Sequence, residues 1–468
     1  MTRELVRLDA RQAVALLKKG EVSPLELIEA ALARIAAVEP QVNALPILCP
    51  ERARARASSL SRESLLAGLP IAIKDLVEVE GVRTTRGSPI YAQHVSTRSD
   101  ILVERLERNG ALVLAKSNTP EFGAGGNTFN EVFGRTLNPW NVALTCGGSS
   151  GGAAVALATG EVWLAHGSDL GGSLRTPASF CSVVGLRPSP GRVASGPVAD
   201  PFDTLSVQGP MARNVGDLAL MLDAMAGADA ADPLAFDAPA TSFTRSLEEV
   251  PAQKRVAFSP DLGGFAVAAE VKEVCARAAR RFAELGASVE EAAPDLSDAR
   301  EIFQVLRALK FVVGHEEKLS RHRDKLKPEV IWNIERGLKL GAEEIARAVR
   351  GRAALFYRVT DFFRRYELLL CPAAPVPPFP VEERYVSEVD GHKYESYIDW
   401  VAVTFAITIT GSPALSLPCG FSNDGRPIGL QMVAPPRGEA ALLGAARRLE
   451  EALGLKHLLP IDPRPPKR

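Results

Sequence analysis

Residues 146–190 read CGGSSGGAAVALATGEVWLAHGSDLGGSLRTPASFCSVVGLRPSP and contain two clusters of glycine and serine, at 147–152 and 171–173. The small residues at 153–160 predict a closely packed helix between the clusters, and the apolar run at 162–165 predicts a strand. Both clusters therefore lie where the chain changes direction.

The second cluster has the composition of an oxyanion hole. Glycine lacks a Cβ atom, so its N–H group can approach a developing charge closely. We expect the consecutive N–H groups of Leu170, Gly171, Gly172 and Ser173 to surround an acyl carbon bonded to Ser173. A short motif of this kind also fits an ordinary tight turn with a solvated serine, so both interpretations stay open at this point.

The composition excludes several classes of protein. The 468 residues include 55 basic and 56 acidic side chains, a net charge of −1, which does not favour binding to nucleic acid or to a membrane surface. The first residues show no apolar signal segment, so we expect a cytoplasmic enzyme. The cysteines lack the spacing of a zinc site or a disulfide framework and are expected to be buried thiols: Cys49, Cys146, Cys181, Cys275, Cys371 and Cys419.

A lysine ends the apolar stretch at 68–76, which reads GLPIAIKDL and predicts a strand. Lys74 could pack its stem on the core and extend its ammonium group to water. Alternatively, burial lowers its pKa so that the neutral amine acts as a base near pH 7. The stretch by itself does not decide between the two.

Predicted strands and helices alternate along the chain, which is typical of an α/β fold. The further predicted strands are 111–116, 255–259, 288–291, 368–372, 414–418 and 428–433. The predicted helices outside the glycine-rich region include 24–38, 100–109, 215–227, 271–285 and 439–453. A charged helical excursion is expected at 298–365. The loop at 117–144 is long for a simple connection, so we expect it to contribute to the functional site.

Taken together, these residues resemble the amidase signature family. The resemblance rests on GLPIAIKD at 68–75, NPW at 138–140, GGSSGG at 147–152, GSDLGGSLR at 167–175, GLRP at 185–188, GSPA at 411–414 and PIGLQ at 427–431. The motifs stand in the family's order over most of the chain, which makes the match highly specific.

The resemblance implies a single domain over 1–468, in which one large mixed β-sheet is covered by helices on both faces. The signature core would span 60–220, and 298–400 would shape the substrate pocket. The family's Ser–cisSer–Lys triad maps to Ser173 as nucleophile, Ser149 in a cis peptide as proton relay and Lys74 as base.

Other positions match residues that support the site in the family. Ser150 is expected to hydrogen-bond the lysine, and Asp169 with Arg175 to brace the oxyanion turn. Gly123 and Ala124 match the loop that borders the acyl pocket. Four positions depart from the common pattern, which puts the identity of the substrate in doubt rather than the reaction: Cys146, Ser182, Arg187 and Thr408.

The implied activity is hydrolysis of the carbon–nitrogen bond of a small carboxamide or aryl amide, without a cofactor or metal. The expected partner is the small-molecule substrate, with no direct binding of nucleic acid or membrane, and a homodimer is one assembly to test. An alternative is the glutamine-hydrolysing subunit of a tRNA-dependent amidotransferase. A third interpretation is an α/β-hydrolase with Ser149 as nucleophile, because residues 147–151 fit G-x-S-x-G and His315, His322, His392 and His457 follow.

Overall fold

A computed structural model describes residues 2–249 and 251–466. Its centre is an eleven-stranded mixed sheet with helices on both faces, as predicted. The strand order across the sheet is β1 (Ile47–Leu48), β3 (Leu112–Ser117), β2 (Pro70–Lys74), β6 (Leu164–Asp169), β8 (Val207–Ala212), β7 (Val184–Arg187), β14 (Ala414–Phe421), β15 (Pro427–Val433), β11 (Leu368–Pro372), β9 (Arg255–Phe258) and β10 (Ser288–Glu291). Two short hairpins lie outside it, namely β4 (Phe129–Asn130) with β5 (Gly134–Arg135), and β12 (Glu388–Val389) with β13 (His392–Lys393).

The helices predicted at 24–38, 100–109, 215–227, 271–285 and 439–453 are present, with their ends shifted by at most four residues. The helices of the structure are α1 (Thr2–Leu5), α2 (Ala10–Lys19), α3 (Pro24–Val42), α4 (Pro50–Ala57), α5 (Ile101–Arg108), α6 (Gly151–Thr159), α7 (Arg175–Cys181), α8 (Val215–Met225), α9 (Phe243–Glu249), α10 (Ala269–Glu284), α11 (Ala299–His322), α12 (Pro328–Leu338), α13 (Ala342–Phe363), α14 (Ala402–Thr408) and α15 (Glu439–Leu453). Within the described ranges, no helix is long and apolar enough to cross a membrane.

The start of α3 illustrates how local sequence sets an element. The Ser23 hydroxyl accepts the N–H of Glu26, and the Glu26 carboxylate accepts the N–H of Ser23, which forms a capping box. The helix runs four residues beyond the predicted end at Val38 and stops where Asn43 adopts the left-handed conformation, with φ 53°.

The strand predicted at 162–165 lies at 164–169 in the structure. The prediction stopped early because the last residues of β6 include His166, Ser168 and Asp169, whose polar side chains do not continue an apolar pattern. All three are nevertheless buried, since each finds hydrogen-bond partners inside the protein. The strand therefore carries polar groups directly to the edge of the sheet.

The predicted excursion after Asp298 is helical and consists of α11, α12 and α13. It packs on the rest of the molecule through α11, whose Phe303 ring stacks on Phe405 of α14 with centroids 4.2 Å apart. Both rings are fully buried and belong to a cluster of apolar side chains separate from the larger core around the first half of the sheet. This contact sets α11 beside the turn that follows β6.

Candidate active site

The site forms where two neighbouring parallel strands end. β2 and β6 pair in parallel, so their carboxyl ends meet at the same edge of the sheet. Lys74 is the last residue of β2, and Asp169 is the last residue of β6. The first glycine–serine cluster enters α6 beside this edge, and the second forms the turn between β6 and α7.

Close packing of α6 on the sheet depends on glycine. A Cβ atom on Gly152 would lie 2.4 Å from the backbone N of Asn118, which follows β3, and 2.5 Å from the backbone O of Ala44. No side chain fits there. The glycine thus allows the start of α6, with Ser149 and Ser150 just before it, to approach Lys74.

Lys74 is fully buried, so the snorkelling interpretation is wrong. Its Nζ lies 2.7 Å from Ser149 Oγ, 2.9 Å from Ser150 Oγ and 3.1 Å from Ser168 Oγ. Burial lowers the pKa of Lys74 to about 7, against the opposing influence of Asp169. A neutral amine surrounded by hydroxyl groups can accept a proton near neutral pH.

Ser149 and Ser173 line one cavity of about 260 Å³. The Gly148–Ser149 peptide is cis, as the resemblance implied. Ser150 N–H donates to the backbone O of Ser173 at 3.1 Å, which ties the two serine clusters together. The Ser173 hydroxyl makes no hydrogen bond to any residue that the structure describes, so it is free to face an incoming substrate.

The turn after β6 differs in one respect from the predicted oxyanion hole. The N–H of Gly172 donates to Asp169 Oδ1 at 3.0 Å, so it is already occupied. The N–H groups of Leu170, Gly171 and Ser173 have no acceptor among the described residues. The buried Asp169 carboxylate thus engages the N–H of Gly172 and holds the turn, whereas the role of these N–H groups as an oxyanion hole stays a prediction.

Asp169 and Arg175 form the predicted brace, with Asp169 Oδ1 2.9 Å from an Arg175 Nη atom and both side chains fully buried. Burial alone would raise the pKa of Asp169, but Arg175 and Arg187 outweigh it and hold the pKa well below its usual range. The carboxylate also accepts the N–H of Leu174 at 3.1 Å. It therefore fixes the turn from several sides.

Several residues of this brace were not identified from the sequence. Arg187 donates to the backbone O of Asp169 at 2.6 Å, and Arg175 donates to Thr408 Oγ1 at 2.8 Å and Gln431 Oε1 at 2.5 Å. Arg187 and Thr408 were noted only as departures from the family pattern, and Gln431 only as part of a matching motif. Their distance along the chain gave no sign that Arg187 meets Asp169 or that Thr408 and Gln431 meet Arg175.

His166 and Ser168 were also missed. The backbone N–H of Lys74 donates to His166 Nδ1 at 3.4 Å, and the Nε2 of the same ring lies 2.8 Å from Gln208 Oε1. Burial lowers the pKa of His166 to about 3, so the ring is neutral. The alternation of residues in β6 was the available signal, because 166 and 168 lie on the same face of the strand.

The structure places the two residues predicted to border the acyl pocket, Gly123 and Ala124, in different surroundings. Gly123 lines the cavity, and a Cβ atom on it would lie 3.4 Å from Ser149 Oγ. Ala124 is not part of the cavity wall; its side chain lies in an apolar cluster with Phe311 and Val330. Its backbone O accepts a hydrogen bond from Lys327, which holds the loop in place.

The cysteines carry free thiols; five are buried and Cys49 is half-buried. Burial raises the pKa of Cys146 to about 12, which makes it a poor nucleophile. No cluster of metal-ligating side chains occurs in the ranges 2–249 and 251–466. His315 shares the cavity with Ser149, but the Ser149 hydroxyl is bonded to Lys74, which does not support the α/β-hydrolase interpretation.

Comparison with known proteins places this geometry in context. A family model described as Amidase matches residues 26–443. An acylamidase of Rhodococcus erythropolis is 36% identical over 456 residues, which cover 95% of each chain. A glutamyl-tRNA(Gln) amidotransferase subunit of Thermus thermophilus is 36% identical over 474 residues, 96% of this chain and 98% of that one. The crystal structure of a bacterial aryl acylamidase superposes with a TM-score of 0.91 at 26% identity, covering 97% and 98% of the two chains.

Proposed function

Since the chain belongs to the amidase signature family and is an amidohydrolase acting on carbon–nitrogen bonds other than peptide bonds, we propose that its reaction proceeds through an acyl-enzyme on Ser173. One observation carries this proposal. A fully buried lysine with a pKa of about 7 lies 2.7 Å from the hydroxyl of Ser149, and Ser149 lines the same cavity as Ser173.

In the proposed mechanism, neutral Lys74 accepts the proton of Ser149 while Ser149 accepts that of Ser173. The Ser173 oxygen attacks the carbonyl carbon of the amide, and the N–H groups of Leu170, Gly171 and Ser173 stabilise the oxyanion. The carbon–nitrogen bond then breaks, and the amine leaves with a proton returned through Ser149. A water molecule, deprotonated by the same relay, releases the acid and restores Ser173.

The substrate that we propose is a small carboxamide or an aryl amide. Apolar side chains beside the serines support this choice, since Leu76, Phe122, Leu170 and Phe311 line the cavity. The acylamidase and aryl acylamidase relatives support it as well. We further propose that residues 1–468 form one cytoplasmic domain. It acts without a cofactor and without binding nucleic acid. Light scattering tests whether the protein is a homodimer.

The labelling of Ser173 tests the catalytic assignment. Intact-protein mass is measured after exposure to a fluorophosphonate probe and to a panel of aryl and aliphatic amides. We expect one adduct on the parent protein, none on Ser173→Ala, and slow labelling of Ser149→Ala and Lys74→Ala. Ser320→Ala, which changes an exposed serine of α11, should label like the parent. Full labelling of Ser173→Ala would show that the nucleophile is wrongly assigned.

The relatives also include components of amidotransferases, so a role within such a complex is the second candidate. We expect the purified chain to hydrolyse acyl amides by itself, because the serines, the lysine and the cavity all come from one chain. Turnover is measured before and after separation from copurifying proteins. Activity that appears only when a companion protein is added would favour the amidotransferase interpretation.

A further inference from the structure

Arg307 is a buried cation in the wall of the catalytic cavity. It lies on α11, it is only 3% exposed, and it lines the cavity that contains Ser149 and Ser173. No carboxylate lies within 4 Å of its guanidinium among residues 2–249 and 251–466. A buried charge is costly unless it is paired, so an arginine without a counter-ion beside an open cavity requires an explanation.

Neutral groups hold this side chain without neutralising it. Its Nη atoms donate to Asn333 Oδ1 and to Tyr397 Oη, the second at 2.6 Å. Its Cζ lies 4.7 Å from the centre of the Phe311 ring and 5.4 Å from that of Tyr397. A guanidinium has five N–H donors, and only two of the five are used here. The side chain is therefore fixed in orientation while most of its donors remain available.

The carboxylates nearby are engaged elsewhere. Asp203 pairs with Lys310, and Glu329 pairs with Arg384 at 2.6 Å. Asp232 and Asp200 also line the cavity, but the two oxygens of Asp232 accept the backbone N–H groups of Ser195 and Leu234, and Asp200 Oδ1 accepts the backbone N–H of Phe202. None of them supplies the missing negative charge to Arg307.

The position of Arg307 relates it to the reacting carbon. The Phe303 ring lies against Gly171 in the oxyanion turn, since a Cβ atom there would be 3.1 Å from Phe303 Cζ. Arg307 follows Phe303 by four residues on the same helix face, about 6 Å further along the axis. A group bound by Arg307 would thus lie in the cavity that Ser173 lines, on the helix that contacts the oxyanion turn.

From these observations we infer that Arg307 binds a carboxylate of the substrate, so that the preferred substrates are amides that carry a second, anionic group. The inference rests on the proposed function and narrows its substrate class. The planar fork of arginine suits a carboxylate, with which it can form two parallel hydrogen bonds. The carboxylate can belong to the acyl part or to the amine part of the amide.

Matched substrates separate these two sources. In the acyl arm, glutaryl-4-nitroanilide is compared with its neutral methyl ester. In the amine arm, 4-(pentanoylamino)benzoate is compared with 4-(pentanoylamino)benzamide. We expect kcat/KM to favour the carboxylate in one arm by roughly 10- to 100-fold, the range for a charge-assisted hydrogen bond.

Variants connect the preference to Arg307. Arg307→Met should lower kcat/KM for the charged amide at least tenfold more than kcat/KM for the matched neutral amide, so that the preference for the carboxylate is lost. Arg307→Lys keeps a charge without the fork and should retain part of the preference. Arg321→Gln removes an exposed arginine of the same helix. It should leave the ratio of kcat/KM for the charged substrate to kcat/KM for the neutral one unchanged in both arms.

The outcomes are distinguishable. Equal kcat/KM for charged and neutral substrates in both arms of the parent protein, with Ser173-dependent turnover intact, would overturn the inference alone. An equal loss for both substrates in Arg307→Met and Arg307→Lys would also overturn it, because that result assigns Arg307 a purely structural role. Absence of any Ser173-dependent turnover would overturn the proposed function and this inference together.

Discussion

Lys74 is the residue on which the proposed chemistry depends, and burial is the main cause of its lowered pKa. Because only the neutral amine can accept a proton, we predict that kcat/KM falls about tenfold for each pH unit below 7 and levels off above it. Lys74→Ala should lower kcat/KM by about 10²- to 10⁴-fold and remove the inflection. The pH profile is measured from 5.5 to 8.5.

A second buried lysine provides the control for that profile. Lys116 contacts Asp75 and Thr84 instead of the serines, so Lys116→Met should retain the inflection near pH 7 whatever its effect on stability. A flat profile in the parent protein, or an inflection that persists in Lys74→Ala, would contradict the assignment of Lys74 as base.

Asp169 is the residue that holds the oxyanion turn, and its replacement should lower the free energy of unfolding. Asp169→Asn would leave Arg175 and Arg187 buried without a counter-ion. We predict that the free energy of unfolding falls by about 3–5 kcal/mol, measured by urea denaturation. The matched control is Asp261→Asn, which breaks a partly exposed pair with Lys272 and should cost less than about 1 kcal/mol. An equal loss of unfolding free energy in Asp169→Asn and Asp261→Asn would show that the buried pairs of Asp169 stabilise the protein no more than a surface pair does.

Helix α6 shows how an element depends on a single position. Gly152→Ala would raise helix propensity by about 1 kcal/mol. The new Cβ atom, however, would meet backbone atoms of Asn118 and Ala44, which cannot move aside as a flexible side chain can. We predict a net loss of roughly 1–3 kcal/mol in the free energy of unfolding, because overpacking outweighs propensity.

The control for α6 is a helical glycine with space around it. A Cβ atom on Gly314 of α11 would meet no atom within 4 Å, so Gly314→Ala should stabilise the protein by up to about 1 kcal/mol. If Gly152→Ala is equally stabilising in the same urea experiment, then α6 does not require close contact with the sheet.

The whole molecule has one continuous sheet but two large apolar clusters, and we predict that it unfolds as one unit. Trp163 lies in the larger cluster and Trp400 in the cluster near α11. Two variants, each with one of these tryptophans and phenylalanine at the other three tryptophan positions, report on the clusters separately. Within each variant, fluorescence and far-UV circular dichroism should give the same urea midpoint. Separate midpoints would show that residues 298–400 unfold independently of the sheet.

The sequence by itself predicted the layered α/β fold and most strands, because apolar runs and helix caps are local signals. Ser23 marked the start of α3, and residues 368–372 and 439–453 were predicted with the bounds that the structure has. The spacing of Lys74, Ser149 and Ser173 within quoted motifs also indicated the family. Burial of polar residues was harder to predict, and β6 was therefore cut short.

Only the tertiary structure decided which distant residues meet. Burial of Lys74 depends on α6, β2 and β6 packing together, and no local pattern around 68–76 distinguishes a buried ammonium from an exposed one. The contacts of Arg187 and Thr408, and those of Arg307 with Asn333 and Tyr397, likewise depend on partners far along the chain. Sequence patterns report neighbours along the chain, whereas pKa values and ion pairing depend on neighbours in space.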